Sequence, residues 1–446
     1  MTSRILLRGG CVLTLGAKAP NFPQADLLID DGKVAELGTG LRTRDAEVVD
    51  ATDTIVMPGF VDTHRHVWKS LFRNLGEPAS GGEASPSAAV FGERSQPEDV
   101  YAATLIGLLG AVEAGITTVV DWSDLRSDDG VAEAALQAHA DAGLRTVFVY
   151  GARPRAQRHE HVGSTTRQLV TRLTDAAGPS TTIAFGFGEL VPTDVDRVAE
   201  DWAVARELGM HIHAHLGSET NGPGVISRLA ERGLLGEDVT LVHCFELDAA
   251  DLDAIAAFGA SVSLAPWSEM AGGLGSPPIQ QLIDRDIRPG LAIDDERVAP
   301  GDMFAQMRAT ISLQHATAVD LKLAGKAGVP RLMSTRDVIR YATVDGARVA
   351  GWSRETGSLE PGMQADIILL RTDRPNIFPI NDPIGAVVWG MDTSNVDWVF
   401  VAGRPLMRSG ALEANVEQAR NLATTAQHRV ATAAGLAVGA APGGEW

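Results

Sequence analysis

The sequence predicts an α/β fold, a (β/α)8 TIM-like barrel carrying a small β-sandwich domain built from both chain ends. Three observations carry this reading. The middle of the chain alternates apolar strands with helical patterns eight times, strand-rich stretches of similar texture flank it, and 446 residues exceed what a single core usually accommodates. A doubly wound open sheet shares the alternation, but no Gly-x-Gly-x-x-Gly follows the first strand.

The amino-terminal stretch reads as short strands at Ile5-Leu6-Leu7, Cys11-Val12-Leu13, Leu27-Leu28-Ile29, Val34–Leu37 and Val48-Val49, with Asp31-Gly32 as a tight hairpin signal. Barrel strands are expected to begin near Met57 and then to span 117–123, 144–150, 182–189, 210–217, 239–246, 261–267 and 288–295. Helical patterns separate them, among them 131–142 and 197–208, each stopping near a glycine, Gly143 or Gly209. Strand texture returns at 365–370, at Val387-Val388-Trp389 and at 398–401, and an Ala-rich helix follows over about 413–436. The expected division is therefore 1–56 with 362–412 as a composite β domain, 57–361 as the barrel, and 413–446 as a terminal helix and tail.

Composition narrows the function classes. The formal charge is −19, from 38 basic and 57 acidic residues, and no basic face offers itself to nucleic acid or an anionic membrane. Two cysteines, Cys11 and Cys244, exclude both a disulfide scaffold and a cysteine-rich zinc module. No leader pattern opens the chain and no apolar run approaches the ~18 residues of a membrane span, so a cytoplasmic location is expected.

The strongest local signal is Pro58-Gly59-Phe60-Val61-Asp62-Thr63-His64-Arg65-His66. Residues i and i+2 of a strand point to one face, so both imidazoles can reach one centre, and neutral imidazole is a good ligand for zinc and related metals. A lone His-x-His is weak evidence. Here other candidates fall at the carboxyl ends of expected strands: His211, His213 and His215 on the fifth, His243 on the sixth, Asp294 on the eighth. In a closed barrel the eighth strand abuts the first and the fifth faces them, so these groups can converge at the catalytic face.

With these residues in place, the chain resembles the amidohydrolase superfamily, in the branch that holds cytosine deaminase, guanine deaminase and the triazine hydrolases. The Pro58–His66 motif, His215, His243 and Asp294 carry the resemblance, with Gly301-Asp302-Met303-Phe304 and Glu360–Asp366, and it covers essentially the whole chain. It implies one divalent metal, zinc first with iron or manganese open, held by His64, His66, His215 and Asp294. It implies that Asp294 takes a proton from the attacking water, and that His243 hydrogen-bonds either the nucleophile or a substrate carbonyl. Binuclear relatives carry a lysine on the fourth strand; Thr182–Glu189 has none, so a single ion is expected.

Two departures stand out. Deaminases of the branch carry His-x-x-Glu after the fifth strand, with the glutamate as proton shuttle. His215-Leu216-Gly217-Ser218-Glu219 puts serine there, so either a bulge at Gly217 brings Glu219 into play or the shuttle is missing. The seventh strand ends in Pro266-Trp267-Ser268-Glu269, where relatives often have histidine or asparagine. Trp68, Glu189, Trp267 and Glu269 are candidate substrate contacts, each with a structural alternative: core packing for Trp68, a plain surface position for Glu189, a loop or capping carboxylate for Glu269. The loop Arg153–His161 lies at the catalytic face as a solvated lid or an acidic-group reader, and His139, His315 and His428 read as structural or exposed. The expected activity is hydrolysis of a C–N bond in a small nitrogen heterocycle. A metal-dependent lyase or ring-processing enzyme of specialised metabolism on the same scaffold and a catalytically silent relative are the alternatives. A small-molecule substrate is the expected partner, with self-association into a homo-oligomer left open.

Overall fold

The structure is a computed structural model that describes residues 4–74, 92–125, 130–151, 164–190, 195–216 and 223–434. Eight parallel strands form the barrel sheet in chain order: Phe60–Arg65, Ile116–Ser123, Arg145–Gly151, Thr181–Glu189, Ile212–Leu216, Val239–His243, Ser261–Leu264 and Gly290–Leu291. The eighth strand is only two residues long, and closure continues beyond it. Asp294 N–H donates to the His64 carbonyl (2.9 Å), and His66 N–H donates to the Asp294 carbonyl (3.0 Å). The barrel is thus stitched shut by the backbone of the residues expected to hold the metal.

The first barrel strand starts three residues later than the sequence suggested. Met57 belongs to Thr54–Pro58, which pairs with Ile367–Arg371 and lies in the other sheet. Gly59 makes the transition: a Cβ there would lie 2.2 Å from the Thr117 side chain, so only glycine lets the chain pass this close to the second strand.

The second sheet has nine strands. One part comes from Arg4–Val12, Phe22–Asp30, Lys33–Gly38, Ala46–Asp50 and Thr54–Pro58, the other from Ile367–Arg371, Val396–Val401, Arg404–Arg408 and Ala411–Leu412. Asp31-Gly32 forms the expected hairpin turn with positive φ (51° and 74°), and Ala402-Gly403 forms a second one (47° and 72°). Arg145 of the third barrel strand donates to Asp366 (2.8 Å), joining barrel to sheet through a buried ion pair.

Helices close where glycines predicted: Val131–Ala142 ends on Gly143 at φ 79°, and Gly209, two residues beyond Val195–Glu207, sits at φ 68°. Val387-Val388-Trp389 is not the expected strand. Asp382 caps Ile384 N–H and Pro383 opens a helical turn that runs to Gly390, burying Val387 and Val388 and leaving Trp389 half exposed. The terminal helix, Val416–Ala433, packs Ala426 and Val430 against Trp68, Leu71 and Phe72. Among the described residues no helix is long and apolar enough to cross a membrane.

Candidate metal centre

The first barrel strand delivers His64, then turns at His66 into a short 3₁₀ segment, Val67–Phe72. Asp121 of the second strand holds that exit, accepting Val67 N–H (3.1 Å), and is itself paired with buried His139 (2.8 Å). The fifth strand presents His213 and His215 on one face. His215 reaches the centre, while His213 is fully buried with neither ring nitrogen partnered among the described residues. His243 (φ 73°), Cys244 (φ 63°) and Asp294 (φ 63°) all hold left-handed backbone, a conformation costly for residues with a Cβ that aims these side chains off the strand ends.

The donors converge. Nε2 of His215 lies 3.2 Å from Nε2 of His64, and Oδ1 of Asp294 lies 3.5 Å from Nε2 of His64 and 3.6 Å from Nε2 of His66. Ligand atoms of His64, His66 and His215 all fall within 4.8 Å of one another, as do those of His64, His243 and Asp294. Four donors each ~2.1 Å from a common cation stand ~3.4 Å apart at the corners of a tetrahedron. The measured separations bracket that value. His64 and His66 rings are perpendicular (87°), His66 and His215 parallel, and Trp122 packs on His215 with centroids 4.1 Å apart.

Electrostatics suits a cation. Burial drives the His64 imidazole down to about 4 and His215 well below its ordinary range, so both are neutral ligands at physiological pH. Burial pushes the Asp294 carboxyl up, but the hydrogen bond from His64 and the neighbouring imidazoles more than offset it, leaving it well below the usual carboxylate range. The outward nitrogens, Nδ1 of His64 and of His66, are buried without hydrogen bonds. Two imidazole nitrogens 3.2 Å apart beside an ionised carboxylate are a donor set that one cation can share, so the residues present fit a divalent ion.

The remaining candidates are distributed as follows. Trp68 is buried in the cluster with Leu71, Phe72 and Leu125, its indole N–H donating to Asp124 (2.7 Å). Glu269 is fully buried, not at the solvent edge: its Oε1 accepts Ala265 N–H (2.8 Å) and lies 3.0 Å from Nδ1 of His243. Trp267 is 40% exposed, its backbone N–H held by Gln306. Glu189 ends the fourth strand, but its side chain falls outside the described residues, as do Glu219 and the loop Arg153–His161. The His315 Nε2–H donates to the Met333 carbonyl (2.8 Å), a structural role.

Three groups were not singled out in the sequence. Asp124, whose Oδ1 lies 3.6 Å from Nδ1 of His66, and Trp122 both sit at the carboxyl end of the second strand, which was the available signal. Burial would raise the Asp124 carboxyl, yet His66, Lys69 and the Trp68 N–H hold it well below the usual range. The third is Glu296, which forms an ion pair with Arg65 (2.8 Å) and accepts from Arg73 (2.8 Å) and Ser70 (2.5 Å), so the segment after Asp294 is locked to the segment around His66.

A closed parallel barrel with three histidines and an aspartate meeting at the carboxyl ends of strands one, five and eight defines a metal-dependent hydrolase class. The amidohydrolase family model matches residues 55–406, and the chain belongs to that family. It is 27% identical over 427 residues to a 5'-deoxyadenosine deaminase of Methanothermobacter thermautotrophicus, with 92% of this chain and 94% of that one covered. It is 28% identical over 437 residues to a 5-methylthioadenosine/S-adenosylhomocysteine deaminase of Desulfitobacterium hafniense, covering 92% and 94%. An adenosine deaminase from Xanthomonas campestris with bound zinc superposes with TM-score 0.82 at 20% identity, over 96% and 99% of the chains. Atrazine chlorohydrolase from Arthrobacter aurescens complexed with zinc gives 0.79 at 20%, over 95% and 100%. The two solved structures share the fold; the family membership read from the motifs holds.

Proposed function

We propose that the chain is a mononuclear metal-dependent amidohydrolase that hydrolyses a C–N bond of a small nitrogen heterocycle, by deamination or by attack at a ring or amide carbon. The observation that carries this is the meeting of three imidazoles and an ionised carboxylate at separations a single cation spans. His64, His66, His215 and Asp294 would hold the ion, and zinc is the first choice because a superposable deaminase binds it. When bound, a divalent ion lowers the pKa of water from ~15.7 towards ~7 and polarises the bond under attack.

The protein's own groups do the rest. Asp294, anchored by two backbone hydrogen bonds to the first strand, is ionised at neutral pH and takes the proton given up by the attacking water. Asp124, fixed by the Trp68 indole N–H, places its charge 3.6 Å from the outer edge of His66, and Trp122 backs His215, which supports the orientation of both ligands. Relatives named for 5'-deoxyadenosine and 5-methylthioadenosine make these the first compounds to test.

The test pairs metal content with ammonia release. Elemental analysis is expected to give about one ion per chain. A panel of 5'-deoxyadenosine, 5-methylthioadenosine, adenosine, cytosine, guanine and aminated triazines is expected to show metal-dependent C–N hydrolysis. A protein that is fully folded, takes up no divalent metal and turns over nothing on the panel overturns the reading.

A further inference from the structure

We propose that Glu269 is the positioning residue for His243, holding its ring in the tautomer with the proton on Nδ1, so that Nε2 presents a lone pair to the reaction centre. The role rests on the hydrolase reading above, but the tautomer itself does not. Glu269 lies in the short helix Pro266–Ala271 after the seventh strand and folds back inward, with no exposed surface. Its Oε1 accepts Ala265 N–H at 2.8 Å and stands 3.0 Å from Nδ1 of His243. Ser268 of the same helix donates to the Ile293 carbonyl (2.8 Å), so the helix is fixed to the eighth strand beside Asp294. On the other side, the Phe245 ring stacks parallel to His243 (3°, centroids 5.6 Å apart) and fixes the plane of the imidazole. Plane and edge are both set.

Proton placement follows from basicity. Imidazole is the stronger base by about two pK units, so a proton between a carboxylate and an imidazole resides on nitrogen. Burial raises the Glu269 carboxyl, and the bonds from His243 and from the Ala265 N–H to the same oxygen oppose that rise. One ring nitrogen of His243 lies within 4.8 Å of donor atoms of His64 and Asp294. With Nδ1 on Glu269, Nε2 is the nitrogen left for the centre.

The consequence selects between two roles open for His243. A neutral ring with a lone pair on Nε2 accepts a hydrogen bond, from the O–H of the attacking water or from a substrate N–H. It has no proton to offer a substrate carbonyl. The site is therefore built for a reacting group that donates, such as an amino or ring N–H, in place of one that needs a donor at this point.

Two substitutions test this. Both contacts end on Oε1, so Glu269→Gln can place its amide oxygen there and accept from Ala265 N–H and from Nδ1 as the carboxylate does. Glu269→Leu keeps most of the volume and removes the acceptor. The readout is the 15N spectrum of histidine-labelled, zinc-loaded protein without substrate, with His243 assigned by its loss in His243→Gln. We expect Nδ1–H in the wild type and in Glu269→Gln, and Nε2–H in Glu269→Leu, with zinc content unchanged. On a panel substrate kcat should fall about 10²- to 10⁴-fold in Glu269→Leu, as for other catalytic histidines in the wrong tautomer, with KM within a few-fold, while Glu269→Gln retains part of the activity. A wild-type ring carrying its proton on Nε2 overturns the proposal whatever the variants do, and so does a folded Glu269→Leu whose ring keeps the wild-type tautomer. Wild-type protein with Nδ1–H but no turnover on any substrate would instead count against the hydrolase reading alone.

Discussion

Acidifying the metal-free protein from pH 7.5 to 5.5 should remove about 4 kcal/mol of folding stability. The cause is a set of four imidazoles, His64 and His213 buried and His211 and His215 partly so. Burial lowers His64 and His211 to about 4, and His213 and His215 well below their ordinary range. A group whose pKa is lowered by folding supports the native state fully above its unfolded value, and that support drains away as pH falls from there towards the folded value. At pH 5.5 each imidazole that stays neutral in the fold, against ~6.5 in the unfolded chain, accounts for a loss of about 1.4 kcal/mol. Four such groups give a loss of about 6 kcal/mol. Asp62 runs the other way: burial raises it to about 7 despite Arg65 and two backbone N–H donors, so the native state takes that proton first and regains about 2 kcal/mol. The net loss is a large fraction of a typical stability of ~5–15 kcal/mol. Urea unfolding of chelator-treated protein at pH 7.5, 6.5 and 5.5, followed by tryptophan fluorescence, measures it as a falling midpoint at constant slope. His213→Leu removes one of the four without touching the proposed ligands and should reduce the loss by about 1.4 kcal/mol. A wild-type loss under about 1 kcal/mol, or a His213→Leu profile parallel to wild type, refutes the reasoning.

Further outcomes follow from the site and its supports. His64→Ala should lose bound metal and activity together and Asp294→Ala should lose activity; normal metal content and turnover in both contradict the ligand set. Trp122→Ala takes away the ring packed on His215 and should weaken zinc about 10- to 100-fold in chelator competition, with unchanged affinity speaking against a supporting role. Arg145→Met leaves Asp366 as a buried uncompensated charge and should cost about 3–5 kcal/mol, visible by calorimetry as a clear drop in Tm; an unmoved Tm would show the pair to be unimportant.

Much of this was legible in the sequence because it depends on periodicity. Barrel strands and the two flanking β stretches announce themselves by alternation and by glycine stops, and the histidines were conspicuous at strand ends. What was hidden depends on direction. Nothing in Pro266-Trp267-Ser268-Glu269 says that the carboxylate turns inward, because that follows from a single helical turn beginning at Pro266. Val387-Val388-Trp389 has strand composition, yet the Asp382 cap and Pro383 four residues earlier impose a helical turn. Asp124 escaped notice because its partner, Nδ1 of His66, belongs to a distant stretch. The offset of Glu219 was visible, but its consequence is a matter of loop conformation.

The Thr54–Pro58 strand has a bearing on biosynthesis. One of its neighbours is Arg4–Val12, but the other is Ile367–Arg371, roughly 300 residues downstream. At ~5–20 residues per second, a ribosome needs on the order of 15–60 s to supply that partner. Throughout that interval the nascent chain carries an open apolar ribbon, Ile55-Val56-Met57, beside a half-built barrel. Slowing translation within the barrel-coding region should therefore raise aggregation of the full-length product more than the same slowing placed after residue 412.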